Sequence, residues 1–536
     1  MSNLVVKPFY IDLPAGQLRI WESGVGPTLM VLPGLIDSPQ AVCAQVSEVF
    51  PHHRVVALEL PGLGTSSVSA GRTVQEVRAT VDAATQHMGS IAGCLAFDLA
   101  IPVALDTSLA THLGHRLVLV KLSQARWLAQ HKPRCADFTM DHDGTYLYKL
   151  WNHIRDVDML ESFEPRRPRN QGAYKCADAL DETFLSFAVQ PQQYADLWAT
   201  LSSAIAAMPA TSPALVTCAE TLSETSSEVF AGAPLVIAAA PCTPTDGATG
   251  EAGAAVPIIK RGYQEISTGQ MHYRTAGSGD SCVVALLAGP FSSALLTPLL
   301  QHLGANHRII APDYIGQGDS PRAPEETTIA RAAADIDELT RKLGWTQYSV
   351  YGTQTGAGVA LEAAIAFPDR VKCVIIDSCS MQYASEREVH RVRYFPTITA
   401  DIWGSHVFQA WNILKDGEVF WPWYLPVPAS AKESTSTGLG RLHDSVICTL
   451  RSRTTPVYKS MSSYEARKRI GIVGQPALFV TGPKDIFKSY MPEAKSLAPD
   501  HFTFLDVPAT VWAAKADPVN IQKTCDIYNT FFLDNN

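Results

Sequence analysis

Short apolar runs, each ending at a turn signal, alternate along the chain with stretches of helical spacing. In the second half, SCVVALLAG (281–289), HRIIAPD (307–313) and RVKCVIID (370–377) are rich in Val, Ile and Leu and lack polar alternation. Strands that are buried on both faces of a parallel sheet show this pattern. After YSVYG (348–352), the segment AGVALEAAIAFP (357–368) keeps helical spacing up to its proline. The pattern predicts an α/β fold, a mostly parallel sheet flanked by helices.

The chain also repeats itself. IDLPAGQLRIWESGVG (11–26) matches ISTGQMHYRTAGSG (266–279), and HHRVVALELPGLGTS (52–66) matches NHRIIAPDYIGQGDS (306–320). The matches occur in the same order and at nearly the same separation, which indicates a tandem duplication with small insertions.

We therefore predict two α/β modules, residues 1–240 and 259–536, joined by an Ala/Gly/Pro/Thr-rich linker over 241–258. Each module is interrupted by a helical, aromatic segment that we interpret as an inserted cap, at about 140–233 and about 380–474. The first module is expected to be truncated at its C-terminal end, because its last apolar strand leads directly into the linker.

Composition narrows the classes of function. The 536 residues are 46% hydrophobic and 18% charged, with a net charge of −9, which argues against nucleic acid or an anionic membrane as partner. We find no signal peptide and no run of about 18 apolar residues, and we expect a cytoplasmic protein without a membrane span. The eleven cysteines form no C-x-x-C or zinc-type spacing, so we expect reduced thiols, no metal and no cofactor.

The stretch VYGTQTGAG (350–358) has the form of a nucleophile elbow, a tight strand-to-helix turn of pattern G-x-S-x-G, with Gln354 in place of the serine. Around it lie LLAGPFSS (286–293), APDYIGQGDSP (311–321) and TGPKDIF (481–487) in the corresponding order. On these motifs both halves resemble the α/β-hydrolase fold over nearly the whole chain. The resemblance implies two tandem α/β-hydrolase-like modules with inserted helical caps.

The family mechanism implies a nucleophile, an acid and a histidine in that chain order. In the second module Gln354 can only donate and accept hydrogen bonds, Asp485 matches the acid, and no histidine follows His501. Only one of the three triad members is therefore present. The resemblance also implies an oxyanion hole formed by backbone N–H groups, for which we select Gly289, Pro290, Phe291 and Thr355.

The first module places Asp98 at the elbow position, with Ala96 and Ala100 in place of the flanking glycines. The dehalogenase and epoxide-hydrolase branch of the family uses an aspartate nucleophile here. The alternative, which we favour, is a carboxylate at a helix start that is stabilised by the helix dipole. Gly34 is the corresponding oxyanion-loop residue of this module.

The cap of the second module contributes further candidates. His406 could face a pocket as an acid or base, or it could be a helix-cap or surface histidine. The aromatic residues could line an apolar pocket or pack the cap against the core; the candidates are Trp403, Trp421, Trp423 and Tyr424.

Three hypotheses of function remain open. The first is an enzyme acting on a small apolar or aromatic carbonyl compound without a serine acyl-enzyme, with Gln354, Asp485 and His406 as its reactive or hydrogen-bonding groups. The second is a non-catalytic module that binds a ligand or stabilises an assembly, in which Gln354 is a relic. The third is a hydrolase whose base comes from an unexpected position. We expect a small-molecule partner and an internal pseudo-dimer of the two modules, and leave a further homo-oligomer open.

Overall fold

A computed structural model describes most of the chain. The described residues are 5–106, 113, 116–131, 137–161, 175–209, 217–219, 222, 225, 230, 235–236, 257–322, 327–431, 438–453, 455–483, 485–512 and 516–535.

The chain divides into two compact units. One comprises Met1–Gly250 with Ala400–Ser405, and the other comprises Glu251–Thr399 with His406–Asn536. We call them the first and second module. Residues 241–256 of the predicted linker lie outside the described residues, so the predicted linker and module boundaries stay predictions.

The second module is built on an eight-stranded sheet of order β9-β10-β12-β11-β13-β14-β15-β16. The strands from β11 onward pair in parallel, whereas β10 pairs antiparallel with both β9 and β12. The strands are β9 (Lys260–Ile266), β10 (Gly269–Ala276), β11 (Cys282–Leu286), β12 (Arg308–Pro312), β13 (Tyr348–Thr353), β14 (Val371–Asp377), β15 (Ala477–Thr481) and β16 (Phe502–Asp506).

The first module has a sheet of order β1-β2-β4-β3-β5-β6-β7, and β8 pairs antiparallel with β5. The order of the first seven strands is the same as in the second module. The strands are β1 (Lys7–Leu13), β2 (Gly16–Ser23), β3 (Thr28–Leu32), β4 (Arg54–Leu58), β5 (Ser90–Phe97), β6 (Leu117–Val120), β7 (Thr217–Ala219) and β8 (Leu235–Val236).

Helices flank both sheets. In the first module they are α1 (Pro39–Val49), α2 (Val74–Thr85), α3 (Ile101–Asp106), α4 (Leu122–His131), α5 (Thr145–Glu161), α6 (Ala177–Phe187) and α7 (Pro191–Ala207). The second module adds α8 (Thr297–Leu303), α9 (Ile329–Lys342), α10 (Thr355–Ala366), α11 (Ala384–Arg393), α12 (Ser405–Val419), α13 (Leu439–Ser452), α14 (Pro456–Ser460), α15 (Ala466–Arg469), α16 (Met491–Leu497) and α17 (Pro518–Asp534). The predicted fold class is confirmed. Helices α11 to α15 lie between β14 and β15, where the sequence predicted an insertion.

The central strands explain the unalternated apolar runs. Every residue of β3, β13 and β15 is buried, because helices cover both faces of a parallel sheet. Helix α9 begins where the hydroxyl of Thr328 accepts the Arg331 N–H at 3.0 Å, which satisfies one of the free donors of its first turn. In the described part of the chain, no helix combines the length and the apolar character that crossing a membrane requires.

A buried pair recurs at matching positions of the two sheets. On β2, Arg19 forms an ion pair with Glu59 at 2.7 Å, just after β4. On β10, His272 Nδ1 lies 2.8 Å from Asp313 Oδ2, just after β12. Both residues differ between the modules, yet in each module a nitrogen-bearing side chain on the strand faces a carboxylate at the equivalent place. The same loop is thus held by the same kind of contact in each module.

Candidate active site

The elbow of the second module is a strained turn. Gln354, between β13 and α10, has φ 50° and ψ −107°, a backbone conformation that only glycine adopts readily. A Cβ on Gly352 would collide with the carbonyl oxygen of Gly356, and a Cβ on Gly356 would collide with that of Leu286. The glycines of the motif are therefore required by close backbone approach, and the turn raises Gln354 at the carboxyl end of the sheet.

A cavity of ≈ 310 Å³ opens over this turn. Gln354 and Asp485 both line it, as do the oxyanion-loop residues Gly289, Pro290 and Phe291. The aromatic side chains in its wall belong to Phe291, Tyr394, Trp421, Tyr458 and Trp512. The structure thus brings together, around one cavity, the elbow, the acid and the oxyanion loop that the sequence placed in three separate segments.

Only one of the two carboxylate oxygens of Asp485 accepts hydrogen bonds. Its Oδ1 accepts the Ser378 hydroxyl at 2.7 Å and the Phe487 N–H at 2.8 Å. Its Oδ2 is buried and has no hydrogen-bond partner among the described residues. Burial raises the pKa of this carboxyl above its ordinary value, against the lowering effect of the two hydrogen bonds. A fixed carboxylate with one free oxygen and a raised pKa is suited to accept a proton.

The predicted oxyanion hole is incomplete. The Gly289 N–H points to the Thr355 hydroxyl at 3.5 Å, and the Phe291 N–H points to the Ala288 carbonyl oxygen at 3.4 Å. Pro290 lines the cavity but carries no N–H, so selecting it as a donor was wrong. Thr355 is the first residue of α10, where backbone N–H groups have no intrahelical acceptor. Thr355 itself is buried and is not among the residues that line the cavity.

A tryptophan occupies the segment where the family places its histidine. The chain that follows β16 contributes Pro508, Ala509, Thr510 and Trp512 to the cavity wall. The indole N–H of Trp512 donates to the Thr353 hydroxyl at 3.1 Å. Because an indole N–H can only donate, this residue cannot serve as a base.

The cap candidates divide. Trp421 lines the cavity, whereas the other aromatic candidates and His406 are not among its lining residues. His406, on α12, is only 2% exposed and does not line the cavity, so of the alternatives for this residue the pocket-facing and the surface positions are both contradicted. Trp403 is 68% exposed, and the indole of Trp423 donates to the Tyr394 carbonyl oxygen at 3.1 Å. Tyr424 packs near the ring of His390, outside the cavity.

A pair of tyrosines in the wall was missed by the sequence reasoning. The Tyr458 hydroxyl donates to the Tyr394 hydroxyl at 3.0 Å, and both residues line the cavity. Burial raises the pKa of both phenols, so both stay neutral and can donate hydrogen bonds at neutral pH. The ring of Tyr458 packs directly on Gly289, which places it beside the oxyanion loop.

In the first module, Asp98 occupies the elbow with φ 36° and is 2% exposed. Its Oδ1 accepts the N–H groups of Leu35 at 3.0 Å and of Leu99 at 2.5 Å. Leu35 follows Gly34 in the oxyanion loop, and Leu99 follows the elbow residue. The carboxylate therefore fills the oxyanion hole of its own module. This geometry is compatible with the structural role that the sequence analysis favoured over a nucleophile.

Ion pairs fill the neighbouring space in the first module. The carboxylate of Asp37, in the same loop as Leu35, contacts the ammonium groups of Lys175 at 2.6 Å and Lys121 at 3.3 Å. Burial would raise the pKa of Asp37, but the two lysines hold it well below its usual range. The polar groups at this end of the sheet are thus paired with one another.

One cluster in the second module has the composition of a metal site. Ligand atoms of His272, Asp313 and Asp319 lie within 4.8 Å of one another. However, Asp319 pairs with Arg451, and Asp313 accepts the Ser293 N–H at 2.5 Å as well as the imidazole. Because the first module has an Arg–Glu pair at the same place, we interpret the cluster as a structural pair of the fold.

Comparisons with known proteins agree with this architecture. The model of the alpha/beta hydrolase fold family matches residues 283–398. The family model and the curated relatives point to the alpha/beta hydrolase superfamily. Relatives include the soluble epoxide hydrolase of Corynebacterium sp. (strain C12), 34% identical over 107 residues, which are 20% of this chain and 37% of that protein. The pimeloyl-[acyl-carrier protein] methyl ester esterase of Aliivibrio salmonicida (strain LFI1238) is 27% identical over 123 residues, 22% of this chain and 44% of that protein.

These matches span less than half the length of either curated relative. Among solved structures, the epoxide hydrolase CorEH without ligand matches 52% of this chain and 99% of its own, with a TM-score of 0.41 and 20% identity.

Proposed function

We propose that the second module, with its alpha/beta hydrolase fold, is an enzyme acting on a small apolar or aromatic carbonyl compound without a serine acyl-enzyme. The observation that carries the proposal is the shared cavity of Gln354 and Asp485. A strained elbow without a nucleophile and a carboxylate with one unpaired oxygen both line a cavity whose wall is rich in aromatic side chains. Strained backbone of this kind persists where the surrounding structure and the function require it.

The roles follow from hydrogen-bonding capacity. Asp485 accepts a proton at Oδ2, from the substrate or from a water that attacks it, because Ser378 and the Phe487 N–H keep its other oxygen fixed. The Gln354 amide holds the substrate carbonyl or the water with its N–H and C=O groups. The aromatic wall binds the apolar part of the substrate and excludes water.

The test is a turnover screen of the full chain on aryl esters, lactones, aryl ketones with acidic α-protons and epoxides. For a substrate that is turned over, Asp485→Asn should lower kcat/KM by about 10²–10⁴-fold, the usual contribution of a general base. Gln354→Ala should lower it as well. Asp98→Asn, in the first module, is the matched control and should keep the activity. We also expect no covalent adduct with a fluorophosphonate probe, which reacts with activated serines. An adduct on the second module would contradict the proposal that the enzyme acts without a serine acyl-enzyme.

The second candidate is a non-catalytic ligand-binding module. It is favoured by two substitutions at the site: Trp512 in the segment of the base and Pro290 in the oxyanion loop. A protein of this kind would show no turnover on the whole panel, but a cavity ligand would raise its melting temperature. Turnover that depends on Asp485 would exclude it.

A further inference from the structure

A second carboxyl group lies buried behind the candidate site. Asp377, the last residue of β14, is 1% exposed. Its Oδ2 accepts the hydroxyl of Tyr351 at 2.6 Å and lies 3.4 Å from the hydroxyl of Tyr528 on α17. Its Oδ1 is also buried and has no hydrogen-bond partner among the described residues.

The fold does not require polar residues at these positions. In the first module, the strand register places Val120 where Asp377 stands, each opposite the residue that precedes the elbow. Leu95 stands where Tyr351 does, three residues before the elbow. The first module thus builds the same strand pair with apolar side chains. Burying a carboxyl without full hydrogen bonding is unfavourable, so its presence in the second module indicates a local function.

Asp377 is joined to both groups of the site. Its carbonyl oxygen accepts the Gln354 N–H at 3.0 Å and so supports the elbow. The next residue, Ser378, has φ 53° and donates its hydroxyl to Asp485. Asp377 is therefore linked to Asp485 through a single residue, Ser378, and one hydrogen bond. The two carboxyl groups repel each other when both are ionised.

We propose that Asp377 and Asp485 form a coupled carboxyl pair that retains one proton at neutral pH, with Asp377 as the positioning residue that carries it. Asp485 takes the charge because it has two donors on one oxygen, is partly exposed and has the ammonium group of Lys488 nearby. Asp377 takes the proton because it is fully buried and has an unpaired oxygen. The proposal rests on the proposed function, in which Asp485 is the base, and adds the group that sets its charge.

The titratable groups that face Asp377 are Tyr351 from β13, Tyr528 from α17 and Asp485 from the turn after β15. Burial has the largest effect and raises the pKa of Asp377, and the negative charge of Asp485 also raises it, whereas the two tyrosine hydroxyls lower it; together they bring the pKa to about 7. Since these neighbours act in opposite directions, single substitutions should move the titration of Asp377 in opposite directions.

The experiment is an infrared titration of the full chain that follows the C=O band of protonated carboxyl groups. Subtraction of the Asp377→Asn spectrum isolates the band of Asp377. We expect this band to be present at pH 5 and to disappear with a midpoint near pH 7. Asp485→Asn should lower the midpoint by about one pH unit or more, because the like charge is removed, and Tyr351→Phe should raise it, because a donor to the carboxylate is removed.

The outcomes separate this proposal from the proposed function. A midpoint that does not change in Asp485→Asn overturns the coupled pair, even if the same variant abolishes turnover. A midpoint below about pH 6 in the unmodified protein also overturns it, because Asp377 would then be almost fully ionised at neutral pH. If the midpoint responds as expected but Asp485→Asn keeps full turnover, the pair stands and the role of Asp485 as base fails.

Discussion

Gln354→Gly should stabilise the second module, although glycine usually weakens structure. A non-glycine residue in such a backbone conformation costs of order 1–3 kcal/mol. Glycine removes that strain but loses about 0.5–1 kcal/mol through the greater freedom of the unfolded chain. The Gln354 side chain is half-buried, and the described residues provide no hydrogen bond to its amide. We therefore expect a net gain of about 1 kcal/mol in the free energy of unfolding.

The assay is denaturant unfolding followed by hydrogen exchange of peptides from β13 and α10, so that the second module is observed separately. The control is Gln347→Gly, just before β13 and not at positive φ, where the substitution should destabilise by about 1–2 kcal/mol, because it adds chain freedom and removes the hydrogen bond from the Gln347 amide to the Asp369 carbonyl oxygen at 3.1 Å. A Gln354→Gly variant that is less stable than the unmodified protein would refute the reasoning, because the side chain would then contribute more than the strain costs.

Two further substitutions test the same account. Gly356→Ala should destabilise the second module by several kcal/mol, measured by the same method, because its Cβ would collide with the carbonyl oxygen of Leu286; a change below about 0.5 kcal/mol, the size of an ordinary surface effect, would contradict the close approach. Asp98 is fully buried, and burial raises its pKa to about 6, so its contribution to stability is present below its unfolded pKa of 3.8 and is lost as the pH rises through 6. Asp98→Asn should therefore change the free energy of unfolding more favourably at pH 8 than at pH 4, by up to about 3 kcal/mol, as measured by hydrogen exchange of β5 peptides. An equal effect of the substitution at both pH values would contradict this expectation.

Much of the fold could be predicted because its signals are local. The apolar runs of β11, β13 and β14 lie where the sequence pattern predicts buried strands, and the glycines around Gln354 already indicated the tight turn. Asp485 was identified from the turn that follows β15. Each of these features depends on residues within one short segment of the chain, so the local sequence pattern is sufficient to predict it.

The remaining features of the site depend on contacts between distant segments. Tyr394 and Tyr458 are 64 residues apart, and their hydrogen bond forms only when two ends of the inserted segment meet over the elbow. Asp377 ends an ordinary buried strand, and its burial among tyrosines has no sequence signal. Asp98 fills the oxyanion hole of its own module because its carboxylate accepts the N–H of Leu35, which lies 63 residues earlier in the chain. That Pro290 has no N–H, by contrast, is evident from the sequence alone.

Comparison of Asp485→Asn with Asp98→Asn, on a carbonyl substrate that the full chain turns over, tests the central claim most directly. Each variant replaces one carboxylate at the sheet end of one module, and kcat/KM is measured for both. We predict that Asp485→Asn lowers kcat/KM by about 10²-fold or more, whereas Asp98→Asn leaves it within a factor of about two. The opposite result, with activity lost in Asp98→Asn and retained in Asp485→Asn, would place the reaction in the first module and contradict the account.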